Sequence, residues 1–151
     1  MTVACDEQSP ARGGEKEEPN EPPSSDCRLR IYGGARVLRE ILDEIKRPFY
    51  EYNSEISRTG YYLKPVHKVY KRLSDGRRRV YEYYGRYWWR KKGKRLVYSG
   101  TRKPARVPLE PPANPLEGLS IIVEDDDIIL SCGDYEKFKG YFRGLRVERS
   151  Y

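Results

Sequence analysis

The chain of 151 residues has the length of one domain, and 37% hydrophobic against 35% charged residues leave room for only a modest core. No run approaches the roughly 18 apolar residues that span a bilayer, and an acidic N-terminus without an apolar stretch argues against a standard signal peptide. The formal net charge of +7 is unevenly spread: residues 61–107 hold 16 basic and 2 acidic side chains, residues 1–27 hold 2 and 7, and residues 108–151 hold 5 and 9. So concentrated a cation makes a polyanion its natural partner.

Residues 1–27 are rich in Glu, Pro, Ser and Gly and poor in large apolar side chains. They cannot bury enough surface to offset ordering entropy, so a disordered acidic tail is expected, a solvated leader or an internal competitor for the basic middle. From Gly33 to Lys46, Val37, Leu38, Ile41, Leu42 and Ile45 recur at helical spacing with charges on the other faces. That pattern predicts an amphipathic helix of about three turns, ending before Pro48 and lying on a sheet. The stretch FYEYNSEISRTGYY fits a short helix or an extended connector equally well.

A three-stranded antiparallel meander follows. Asp75-Gly76 separates YYLKPVHKVYKRL from RRVYEYYGRYWWR, and Lys91-Lys92-Gly93-Lys94 turns the chain again into RLVYSG; both turns carry the residues that tolerate positive φ. Five prolines between Pro104 and Pro115 predict an extended linker. Beyond it, GLSIIVEDDDIILS reads as two buried strands around an acidic turn at Asp125 and Asp126, and Asp134 is expected to cap a helix lined by Tyr135, Phe138, Tyr141 and Phe142. The fold class is therefore α+β: a small antiparallel sheet on an N-terminal helix, with a C-terminal ββα unit that forms a second lobe or extends the same sheet. In domain terms this is a tail over 1–27, a nucleic-acid-binding part over 28–103, a linker over 104–115 and the ββα unit over 116–151.

Strand side chains alternate between faces. In the middle strand, Arg79, Tyr81, Tyr83, Gly85, Tyr87 and Trp89 share one face, and Val80, Glu82, Tyr84, Arg86, Trp88 and Arg90 the other. The ring-rich face is suited to a core against the helix. The mixed face, with Arg86, Trp88 and Arg90, is the one expected to meet a ligand, its cations on phosphates and its ring on a base or in a groove. Arg77, Arg78 and Arg79 at one turn and Lys91, Lys92, Lys94 and Arg95 at the other would repel one another unless a polyanion relieved them. In general design such a basic sheet with surface rings resembles the chromatin proteins of thermophilic archaea and the DNA-binding arms of some recombinases, although no family motif is matched residue by residue. The expected function is non-catalytic binding of nucleic acid, DNA before RNA, mainly through the phosphate backbone. The alternatives are an adaptor in a larger protein or ribonucleoprotein assembly, docking through the linker and the C-terminal unit, and a metal-dependent nuclease or strand-transfer enzyme.

Catalytic signals are thin, and no catalytic residue, metal ligand or cofactor site is assigned. Glu124, Asp125, Asp126 and Asp127 form a dense carboxylate run, but neighbours in a turn diverge. His67, the only histidine, has no evident partner, and a nucleophilic Cys132 would depend on it. Cys5, Cys27 and Cys132 are too scattered for a disulfide framework, so a reducing interior is expected, cytoplasmic or nucleoid-associated. One Gln and three Asn beside abundant Arg, Glu and Tyr point to a thermophilic source.

Overall fold

The computed structural model describes residues 23 and 26–150; the expected acidic tail lies almost wholly outside the described residues. The protein is α+β, with one seven-stranded antiparallel sheet. In chain order the elements are β1 (Arg28–Ile31), α1 (Gly34–Glu55), β2 (Tyr61–Arg72), β3 (Arg78–Lys92), β4 (Arg95–Gly100), β5 (Ser120–Glu124), β6 (Asp127–Ser131), α2 (Cys132–Phe138) and β7 (Val147–Ser150). The strands run β2-β3-β5-β6-β1-β7, with β4 also on β3.

The long strand β3 organises the sheet. One edge pairs with β2 throughout. The other is shared, Val80–Tyr83 with β5 and Trp88–Lys92 with β4. The ββα unit is thus an extension of the same sheet, and a single apolar cluster joins Ile31, Leu38, Phe49, Trp88, Ile121 and Phe142. The Pro-rich segment forms neither helix nor strand; it opens with a turn, Val107 N donating to Pro104 O at 3.0 Å, and it is strapped to the body, with Val107 and Leu116 fully buried and the Tyr52 hydroxyl on α1 donating to Leu109 O at 2.6 Å.

Helix α1 is longer than its sequence predicts. Pro48 lies inside it, exposed to solvent. A proline there costs about 3 kcal/mol, yet Leu38, Ile45, Phe49, Tyr52 and Ile56 continue one buried stripe through and beyond it, and that packing outweighs the lost hydrogen bond. Two glycines begin the helix for different reasons. Gly33 takes φ 79°, while a Cβ on Gly34 would lie 2.7 Å from Ile128, so only glycine lets the helix approach β6 this closely. The β5–β6 turn caps this end, with Asp126 O accepting from Ala35 N and the Asp127 carboxylate from Gly33 N, both at 3.0 Å, an anion where the helix dipole favours one.

Two further expectations are corrected. Ser131, not Asp134, caps α2, its hydroxyl accepting from Asp134 N at 3.0 Å; the Asp134 carboxylate instead accepts from Ser120 N at 3.1 Å. And Cys27 and Cys132 form a disulfide, Cα atoms 5.5 Å apart across 105 residues of sequence. Their proximity follows from β1 pairing with β6, where Arg28 faces Ser131, a ladder that four residues of β1 do not announce.

Candidate nucleic-acid interface

Which face of β3 meets α1 decides which side chains are available. Leu63 of β2 lies opposite Trp88, and both are fully buried on the helix side. Tyr52 of α1 meets the Trp88 indole edge-on at 6.1 Å, and Tyr84, two turns of the pleat away, is 1% exposed. The mixed face is therefore the core face, which corrects the assignment of Trp88 to a ligand surface. Arg86 on the same face lies 3.4 Å from Glu117.

The ring-rich face builds a second, smaller core. His67 has the rings of Tyr83, Tyr87, Trp89 and Tyr98 within 5.5–6.3 Å of its own. Residues 83 and 89 would be about 20 Å apart along a straight strand, so their convergence on one imidazole reports strong curl. The devices that supply it are visible: a register shift between Lys64 and Val66 at Pro65, and Gly85 opposite, with Asn114 donating to both Pro65 O at 3.0 Å and Gly85 O at 2.8 Å. Burial pushes the His67 imidazole down to about 4, with the Lys64 ammonium adding to the effect, and Lys64 lies 4.6 Å over the Trp89 ring. The Tyr87 hydroxyl and the Trp89 indole N–H find no hydrogen-bond partner among the described residues.

The two cationic turns at the ends of β3 have different fates. At the β2–β3 turn, Arg77 pairs with Asp75 at 2.7 Å and Arg78 lies 5.6 Å over the Tyr70 ring. Arg79 reaches Glu124 at 2.7 Å, and Arg30 of β1 holds Glu124 at 2.5 Å and Asp127 at 2.8 Å. Burial opposes charge on Glu124, but the hydrogen bonds from Arg30 and Arg79 prevail and hold its carboxyl below the ordinary value. Glu124 and Asp127 are thus held by arginines in part-buried pairs, while Asp125 and Asp126 are exposed turn residues, Asp126 lying 4.0 Å from Arg39. Among the described residues no cluster of His, Cys, Asp and Glu is arranged for a metal ion.

At the β3–β4 turn no such ties exist. Arg90, Lys91, Lys92, Lys94 and Arg95 are all exposed, and none has a carboxylate partner among the described residues. The ladder sets Lys92 opposite Arg95 and Lys91 opposite Leu96, and Gly93 at φ 60° closes the turn. Cation facing cation is unfavourable in a hairpin, and no carboxylate among the described residues relieves it. Of the residues proposed from sequence, the structure gathers these five on one ribbon, ties Arg77, Arg79 and Arg86 to carboxylates, and buries Trp88. Sequence reasoning overlooked Leu96, 38% exposed among these cations, and Tyr70, 52% exposed beneath Arg78.

Scans against protein-family models, curated proteins and solved structures return no match to the chain.

Proposed function

We propose that the protein binds nucleic acid through the β3–β4 hairpin, by its phosphate backbone and without catalytic chemistry. One observation carries the reading: five exposed cations on the β3–β4 hairpin have no carboxylate partner among the described residues, a self-repulsion that phosphates would relieve. DNA is favoured over RNA because a two-stranded ribbon fits the B-form major groove, whereas the A-form major groove is too narrow for side chains to read. The groups that would serve catalysis are otherwise engaged, with Cys132 in the disulfide, His67 enclosed by rings, and Glu124 and Asp127 held by arginines. Docking through the Pro-rich segment is less favoured, since that segment packs on α1.

Among the described residues no helix is long and apolar enough to cross a membrane. An intracellular, nucleoid-associated setting accords with DNA as ligand, and a disulfide in such a protein is the habit of hyperthermophiles, in line with the scarcity of Gln and Asn.

Mobility shifts with duplex DNA, single-stranded DNA and structured RNA at two salt concentrations test the proposal. Five phosphate contacts predict a log–log salt slope of about −4.5 on duplex. Lys91→Glu, Lys92→Glu and Lys94→Glu together abolish the shift, while Arg77→Ala, whose guanidinium is already paired, leaves it nearly unchanged. A slope near zero removes the proposal.

A further inference from the structure

Strand β2 forms one edge of the sheet, and its outward backbone groups fall into two sets. At Leu63 they are taken: Asn53 of α1 donates Nδ2–H to Leu63 O at 2.8 Å and accepts from Leu63 N at 2.7 Å, a side chain occupying the place of a neighbouring strand. Beyond the irregularity at Pro65 the outward parity resumes at Val66. Its partner Tyr84 spends its N–H on Leu119 O and its C=O on Gly118 N, both at 2.9 Å and away from β2, so Val66 and Tyr84 face each other without exchanging hydrogen bonds. Val66, Lys68, Tyr70 and Arg72 therefore aim N–H and C=O off the sheet, and no described residue receives them.

Beside this free edge, between α1 and the start of β2, lies a groove of about 320 Å³ lined by Leu42, Phe49, Tyr50, Tyr62 and Val66, with Lys46 and Lys64 at its margin and no carboxylate in its wall. Tyr50 is 74% exposed on its rim. The strand itself carries Lys64, Lys68, Lys71 and Arg72 and no acid, and the Lys68 ammonium lies 3.8 Å from Glu82 of β3.

We propose that this edge receives an extended, acidic segment of a partner protein, which adds as a strand along Val66–Arg72 and seats one apolar side chain in the groove. Strand addition takes its affinity from main-chain hydrogen bonds and its specificity from alternate side chains. A second copy of this chain is disfavoured as occupant, because β2 against β2 sets cations against cations. The same cations pair with an acidic strand. Asn53 fixes where addition stops, since the outward groups of Leu63 are already satisfied. The site uses none of the five hairpin cations, so it stands independently of the nucleic-acid reading.

The test is fluorescence anisotropy of the full chain with a labelled short peptide of alternating Glu and Val, beside a twin of alternating Lys and Val. The acidic peptide binds and the basic one is weaker by at least about tenfold, which is about 1.4 kcal/mol. Lys68→Pro removes one outward N–H that β3 does not use and is expected to weaken acidic-peptide binding by about tenfold or more, with unchanged circular dichroism. Should that variant misfold, Lys68→Glu with Arg72→Glu gives the same reading through charge. Lys92→Glu with Lys94→Glu leaves peptide binding intact. The proposal is overturned by absence of peptide binding at about 1 mM, by insensitivity to both β2 variants, by loss of binding in the hairpin variant, or by a dimer in sedimentation that Lys68→Pro dissolves.

Discussion

The hairpins at the two ends of β3 are built from similar residues and differ in what those residues face. Around the β2–β3 turn, Arg77 and Arg79 have carboxylates and Arg78 has a ring. Around the β3–β4 turn, Arg90, Lys91, Lys92, Lys94 and Arg95 have neither among the described residues. The cause is topological. Strand β5 lies against the first half of β3 and brings Glu124 within reach of Arg79, whereas β4, which lies against the second half, brings Arg95 and no acid. Charge density along a sequence therefore does not locate an anion site; the neighbouring strand decides whether the charge is neutralised or left for a ligand.

The contrast needs β3 to be one anchored strand that keeps its two end turns apart, and Trp88 is the anchor. Its ring is fully buried against Tyr52 and Leu63, so Trp88→Ala should lower stability by about 3–5 kcal/mol in chemical denaturation. Arg90→Ala, two residues on and exposed, should change stability by less than about 0.5 kcal/mol. A Trp88→Ala protein that keeps its stability and loses only nucleic-acid affinity would turn β3 over and undo the comparison.

What the residues disclosed without a fold, and what they did not, follows the same line. The two turns of the meander were legible because Asp75-Gly76 and Gly93 are local signals, and Gly76 and Gly93 do take positive φ. The acidic β5–β6 turn was legible for a similar reason, with Asp125 at φ 56°. The facing of β3 was not: Trp88 with Tyr84 and Trp89 with Tyr87 make equally apolar stripes, and the choice rests on Leu63 of β2 and on an α1 that runs past Pro48. Nor were β1 and β7, four residues each, which exist only because β6 and β1 are there to pair with them. The disulfide depends on the β1–β6 ladder and was hidden with it, and the Arg79–Glu124 pair depends on β5 lying against β3, a long-range pairing that no local signal marks.

The curl between the two hairpins is held by rings around a histidine, and acid should strain it. His67 is neutral in the fold, with its pKa near 4 against an ordinary 6.5. The unfolded chain takes up a proton as pH falls through about 6.5, and the folded protein does not until about 4. The stability that rests on neutral His67 is thus full above about pH 6.5 and is lost on acidification toward pH 4, by about 3 kcal/mol. Unfolding free energies at pH 7 and pH 4.5 should show most of that fall, and His67→Phe should flatten this part of the profile. An identical slope in the variant would mean that the imidazole is solvated and the rings do not enclose it.

Glu124→Gln attacks the comparison at its root, by giving the β2–β3 end the free charge that the other end already has. Arg79 loses its carboxylate and Arg30 keeps only Asp127, and the loss of a half-buried ionic hydrogen bond should cost about 2 kcal/mol of stability. If neutralisation alone silences that end, the freed Arg79 becomes available to phosphate, and the salt slope of duplex binding steepens by about 0.9, one contact's worth. A slope that stays fixed while stability falls would show that the β2–β3 end lies away from the duplex whatever its charge. Position along β3, rather than the carboxylate that β5 contributes, would then be what separates the two hairpins.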